Sequence, residues 1–312
     1  MENFLIALNA VMPIFIMISY GYILNRIKVL NETGVKALNT IVFKGFFPIL
    51  IFKNIYKIHI SELLNIKLLS FAIVFEIILL VIVIAVVPHF VKDNSKGGVV
   101  AQSIFRSNFV LFGLALAASV YGPDNIGSAS MVVAIMVPLF YVFSITTLET
   151  FRGGSFNPRT IAINVLKNPI IWGAIIGLIV CIAGITLPSF LQSVVSDFGS
   201  AANPLALLAM GGTMRFSISR ENGQLLSASL LLRLIIVPLI GVVLGVLLGF
   251  RDLELFTIMV MTAAPVAVSS YTLAQQMGGD GELASQLVVF STVFSLATIF
   301  CWIFVLKTIG LI

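Results

Sequence analysis

The sequence predicts an all-α integral membrane protein: ten transmembrane helices arranged as two inverted five-helix repeats. Three observations carry that reading. Apolar residues fill 59% of the 312 positions and charged residues 10%, with a mean hydropathy of +1.12, against about a quarter charged in ordinary soluble domains. Apolar spans of membrane-crossing length, about 20 residues at 1.5 Å rise each, recur along the whole chain. The two halves also echo each other without a gap: Pro13 matches Pro169, Gly21 matches Gly177, Pro48 matches Pro204, Gly122 matches Gly278 and Asp124 matches Asp280, all 156 positions apart. With five prolines in one half and six in the other, chance would align about 0.2 pairs, against the two seen. Five crossings is an odd number, so the second half enters the bilayer from the opposite face, as in carriers built for alternating access.

Taken in order, the apolar spans of the first repeat (1–148) fall at about 4–24, 35–56, 66–90, 99–121 and 126–147, and those of the second (161–312) at about 161–183, 189–213, 225–249, 253–277 and 283–307. The first follows Met1 and Glu2. It lacks a basic leader and a small-residue cleavage signature, so it reads as a retained helix. Spans 2 and 7 carry the matched prolines Pro48 and Pro204. Spans 3 and 8 carry Glu76 and Arg233, the charges that lie deepest by sequence. Spans 4 and 9 are interrupted by polar or helix-breaking residues. The longest polar break, 149–160, holds Gly153, Gly154, Ser155 and Pro158 and reads as the linker between repeats. No polar stretch is long enough for a separate soluble domain, so the function lies within the membrane.

Loop charge sets the orientation. With the N-terminus outside, cytoplasmic segments collect Arg26, Lys28, Lys36, Lys92, Lys96, Arg152, Arg159, Arg215 and Arg220, whereas Lys53, Lys57, Lys67, Arg251 and Lys307 stay external. The reading is therefore a multi-pass cell-membrane protein with both termini extracellular and the linker cytoplasmic. This distribution accounts for the net charge of +5 without a nucleic-acid partner. Cys181 and Cys301 fall inside apolar spans, where packing is the ordinary role. An intramembrane enzyme would need paired acids, a His cluster or a nucleophile with its base. His59 and His89 sit in a loop and at a span end, and no two acids lie close together within one span, so neither enzyme chemistry nor a cofactor is expected.

Inside a bilayer, an interrupted helix persists only where protein or a water-filled cavity meets the freed backbone groups, so interruptions mark candidate sites. Span 9 carries Pro265 near its middle, followed by Val268, Ser269 and Ser270. Pro265 removes one helical hydrogen bond and crowds the preceding turn. The related place in span 4 carries Asn108, Phe109 and Gly113. If the two spans meet there, half-helix N-termini face an anion, while freed carbonyls are available to a cation. Competing with this reading, a proline kink and serines bonded to their own helix are common in membrane spans. Glu76 and Arg233 lie deepest among the charges and 157 positions apart, near-equivalents in the two repeats. A lone charge at the bilayer centre costs about 2.5–3.5 kcal/mol, so they read as a coupling or structural ion pair. Lys44 and Arg106 fall nearer span ends, where snorkelling to the interface is expected.

These residues resemble the auxin efflux carrier family, which includes the plant PIN carriers and bacterial permeases proposed for malate or malonate. The likeness runs nearly end to end. It is carried by Gly21, Tyr22, Ile23 and Leu24; by Leu38, Asn39, Val42, Phe43, Phe47, Pro48, Leu50 and Phe52; by Asn108 through Gly113 with Tyr121 and Gly122; by Asn168, Pro169, Gly177 and Leu178; by Ala264, Pro265 and Ala274; and by Ser291, Thr292 and Ser295. The resemblance implies that helices 4 and 9 break and cross to form the substrate site. It further implies a scaffold of helices 1, 2, 6 and 7 with a homodimer surface, past which helices 3–5 and 8–10 slide as an elevator. Two family prolines are replaced, by Ala115 and Ser270, and Glu76 stands alone where PIN carriers have paired support residues, which makes auxin a poor fit.

The resulting expectation is a secondary transporter of a small organic anion, in particular a carboxylate, with Asn108, Phe109, Gly113, Pro265, Val268, Ser269 and Ser270 at the substrate. Alternatives from the sequence are a sodium- or proton-coupled symporter of a bile-acid-like or other organic acid, and a channel.

Overall fold

The computed structural model describes residues 2–56, 65–123, 125–153, 169–214 and 222–312. Among them the chain is helical throughout, with a single isolated antiparallel bridge, Ser107 to Val266. Six helices are long and apolar enough to cross a membrane, and shorter apolar helices pack among them. In order these are α1 (Glu2–Arg26), α2 (Glu32–Ile41), α3 (Phe47–Tyr56), α4 (Ile66–Phe90), α5 (Asn94–Phe105), α6 (Phe109–Tyr121), α7 (Gly127–Arg152), α8 (Pro169–Ile182), α9 (Ser189–Thr213), α10 (Gly223–Leu231), α11 (Val237–Leu247), α12 (Asp252–Ala263), α13 (Val268–Gln276) and α14 (Gly281–Thr308). A π turn, Val42–Phe46, joins α2 to α3, and another, Leu232–Ile236, joins α10 to α11. Most of the linker, from residue 154, lies outside the described residues, as do Asp124, Arg159, Asn168, Arg215, Arg220, Lys57 and His59.

Helix ends follow local chemistry. Asn31, Asp93 and Asp280 each accept a backbone N–H of the first turn that follows, beginning α2, α5 and α14. The Ser95 hydroxyl and amide hold the Asp93 carboxyl below its usual 3.8. Because Asp93 caps a helix there, α5 starts five residues before the span the sequence suggests, and Gly97 and Gly98 become helix surface against Phe151.

Two helix pairs approach to backbone contact. A Cβ built on Gly21 of α1 would lie 2.0 Å from the Leu208 carbonyl oxygen of α9, and one on Gly211 of α9 would lie 2.0 Å from the Ile18 oxygen of α1. Between α8 and α3, a Cβ on Gly173 would meet the Pro48 oxygen at 2.3 Å. Small residues therefore let these helices dock by dispersion contacts, which replace the hydrophobic drive that lipid removes. On their other side α1, α4, α8 and α11 leave large apolar residues exposed, among them Phe15, Ile78, Trp172 and Leu244. That surface suits acyl chains. The buried core gathers on α5, α6, α12 and α14, around the two chain breaks.

Candidate functional site

Span 4 breaks between α5 and α6, where Arg106 turns extended (φ −77°, ψ 102°) and Asn108 begins the next helix. Span 9 breaks between α12 and α13 across Ala264, Pro265, Val266 and Ala267, with Ala264 and Ala267 both extended. Pro265 explains the second break directly: it has no N–H to give, and it drives the residue before it out of the helical region. The breaks lie side by side. The Asn108 amide donates to the Pro265 oxygen at 2.7 Å and the Ala267 amide to the Arg106 oxygen at 3.3 Å. The Val266 amide, turned the other way, donates to the Ser291 hydroxyl at 3.0 Å. Backbone groups released from two helices thus satisfy one another in a place without bulk water.

Arg233 completes the junction. It is fully buried, and its guanidinium donates from Nε to the Ala264 oxygen (2.9 Å), from Nη1 to the Ile104 and Phe105 oxygens (3.1 and 3.2 Å) and from Nη2 to the Met261 oxygen (3.2 Å). The carbonyls that the sequence offered to a cation are therefore held by a side chain. Glu76, also fully buried, is within electrostatic range of Arg233. Neither of its carboxyl oxygens has a hydrogen-bond partner among the described residues.

Arg106 lies at the centre of the site, contrary to the snorkelling expected from its place in the span. With α5 starting at Asn94, Arg106 is twelve residues in, roughly 18 Å along the axis, and only 5% exposed. Its Nη2 donates to the Ser269 hydroxyl at 2.8 Å, its guanidinium carbon sits 5.7 Å from the Tyr141 ring centre, and its Nη1 has no partner among the described residues. The expected site residues divide accordingly. Pro265, Ser269 and Asn108 meet at the junction, Asn108 donating from Nδ2 to the Met210 sulfur at 3.6 Å. Ser270, 3% exposed, has no partner for its hydroxyl among the described residues. Phe109 is buried at the start of α6. Gly113 sits inside α6, where an added Cβ would meet the Phe109 ring at 2.5 Å, so it makes room for an aromatic ring and the break itself falls five residues earlier.

Two half-helices, α6 and α13, start at the junction, and neither Asn108 nor Ala267 caps its own helix with a side chain. Their N-termini carry partial positive charge toward the junction. Beside it lies a cavity of about 340 Å³, within the range of small-molecule pockets. Val268 and Tyr271 of α13 line one wall, Glu32, Lys36 and Asn39 of α2 another, with Met210 and Thr292 between, so the α2 wall carries one charge of each sign and the positive character comes from the junction beside it. The sequence pointed to Val268 alone among these. Lys36, Asn39 and Tyr271 sit on helices that periodicity cannot bring together. Among the described residues no group of three His, Cys, Asp or Glu could hold a metal ion. What the junction offers is fixed positive charge and hydroxyl donors next to a small cavity, which suits an anion.

Comparison with known proteins relates the chain to membrane transporters. A family model described as membrane transport protein matches residues 6–303. An uncharacterized transporter of Methanothermobacter thermautotrophicus is 26% identical over 311 residues, covering 96% of this chain and 98% of its own length. One from Methanocaldococcus jannaschii is 24% identical, with 96% and 98% covered. A proposed malonate transporter of Rhizobium meliloti is 21% identical, with 93% of this chain and 92% of its own length covered.

Proposed function

Because this chain belongs to the membrane transport protein family, that of the auxin efflux carriers, we propose that it is a secondary carrier moving a small organic anion, in particular a carboxylate, across the cytoplasmic membrane by alternating access. The observation that carries this reading is the junction of two broken spans. There, two half-helix N-termini, the Arg106 guanidinium and the Ser269 and Ser270 hydroxyls gather beside a cavity of about 340 Å³. A carboxylate there would accept hydrogen bonds from groups already oriented before it arrives, which limits the entropy cost of binding.

The inverted ten-span repeat belongs to the same proposal. Two features support it. An offset of 156 carries α1 onto α8 and α3 into α9, and the close packing of α1 on α9 has its counterpart in α8 on α3. The same offset places Asn108 at Ala264, the start of the second break. In this arrangement the helices around the junction would move as an elevator against a scaffold of α1, α2, α3, α8 and α9, with a second copy of the chain docking on the scaffold. With both termini outside, the cavity, which opens where α2 begins and α9 ends, would face the cytoplasm.

Glu76 favours one variant of this reading. A buried carboxyl without hydrogen-bond partners among the described residues is a candidate proton carrier, so proton-coupled symport is the second reading.

Radiolabelled counterflow in proteoliposomes tests the proposal, with malate, malonate, succinate, lactate, pyruvate and indole acetate, each with and without proton and sodium gradients. Saturable exchange of at least one acid is expected, and Asn108→Ala should weaken it while the protein stays folded. Flux that does not saturate and shows no counterflow would make the protein a channel.

A further inference from the structure

We infer that Arg233 is a tethered cation that permanently fills the carbonyl-lined seat made by the two breaks, so that this protein works without sodium. The four oxygens it binds come from two helix ends. Ile104 and Phe105 close α5, while Met261 lies in the last turn of α12 and Ala264 just beyond it. Each helix C-terminus carries about −0.5 elementary charge, so the two together present about one negative charge. Convergent carbonyl oxygens of this kind are ligands that hard cations seek. Here one guanidinium neutralises them, spending four of its five N–H donors. The π turn Leu232–Ile236, which carries Arg233, is a local widening of the helix of the kind that often re-aims a functional side chain.

A coupling ion must bind and leave for its gradient to do work. A guanidinium on the main chain cannot leave, and it holds the oxygens that a soluble cation would need. Glu76, within electrostatic range, would be the remaining anionic ligand of any such cation. The inference rests on the carrier reading only for its transport consequence, since the occupancy of the seat is a property of the fold.

Thermal unfolding of the purified protein tests the seat without any substrate, in choline, sodium or low guanidinium chloride at equal ionic strength. The parent should melt at one temperature in all three. Arg233→Ala should melt at least about 5 °C lower in choline and recover most of that loss in guanidinium, a fragment of the missing side chain, or in sodium. If Arg233→Ala does not accumulate, Arg233→Lys replaces it. That variant keeps the charge and should melt below the parent without gaining from added cations. A parent whose melting rises specifically with sodium would overturn the inference. So would an Arg233→Ala that is as stable as the parent in choline, or that no cation restores, or an Arg233→Lys that sodium stabilises. In proteoliposomes, uptake by the parent should be equal with and without a sodium gradient, and sodium-driven accumulation would overturn it. If no organic acid is transported at all, the carrier reading fails while the melting experiment still judges the seat.

Discussion

The contact between Arg106 and Ser269 bridges the two breaks, and a double-mutant cycle measures what it contributes. Arg106→Gln removes the charge and Ser269→Ala the acceptor of a 2.8 Å hydrogen bond. Arg106 is 95% buried by its 5% exposure, so solvent screening takes little away. A hydrogen bond to a charged group contributes about 1.5–3 kcal/mol, or about 10- to 150-fold in an equilibrium constant. The cycle should therefore return a coupling energy of about 1.5–3 kcal/mol in the free energy of unfolding, from detergent-solubilised protein that elutes as the parent does. Substrate affinity from counterflow is the second readout. Both single variants should lose affinity, and the double variant should lose less than the sum. If the two changes add to within about 0.5 kcal/mol, the side chains do not act together and the junction is held by its backbone alone.

Four further outcomes follow from the geometry. Gly211→Ala puts a carbon 2.0 Å from the Ile18 oxygen, so α1 and α9 must part by about 1.3 Å to reach ordinary C···O contact. It should cost about 1–3 kcal/mol in melting or unfolding measurements, whereas Gly45→Ala, which meets nothing within 4 Å, should be neutral. Ser107 and Val266 face each other across the antiparallel bridge, where Cα atoms stand about 4.5 Å apart, close enough for a disulfide. Ser107→Cys combined with Val266→Cys should oxidise readily and keep transporting, as checked by uptake before and after reduction. Uptake by Glu76→Gln should lose the parent's dependence on pH, and matching profiles would give Glu76 a structural role. The Asp93 carboxyl has a depressed pKa, so its cap stabilises α5 above the ordinary value of 3.8 and is lost only in stronger acid. Asp93→Asn should remove that acid-side loss from the pH dependence of melting.

Residues with a strong local consequence made much of this architecture legible. Pro265 cannot continue a helix, and the break appears at it. The span expected at 189–213 is α9, Ser189–Thr213, bounded by Pro188 before it and by the turn to extended backbone at Met214 after it. Gly113 misled because glycine permits distortion without requiring it, and here its missing side chain accommodates the Phe109 ring. Arg106 was misplaced for a related reason: Lys96, Gly97 and Gly98 look like loop residues, yet the Asp93 cap and the Phe151 ring draw them into α5 and leave Arg106 buried at its far end. The Arg233 seat joins residues 31 and 129 positions away, and no periodicity reports a partnership set by tertiary packing. Glu76 and Arg233 lie within electrostatic range of each other, while the guanidinium gives its hydrogen bonds to carbonyls.

The stapling of one break to the other has a thermodynamic corollary. If the junction is a carrier's binding pocket, the hydrogen bonds between the two breaks and the shared guanidinium would keep its shape as the surrounding helices move, and a solute arriving from either compartment would meet the same dissociation constant. Equal sidedness then requires loaded and empty carriers to partition between the two faces in the same ratio. Under that reading, a preference for import or export would arise from the membrane voltage and from concentrations, and not from the pocket.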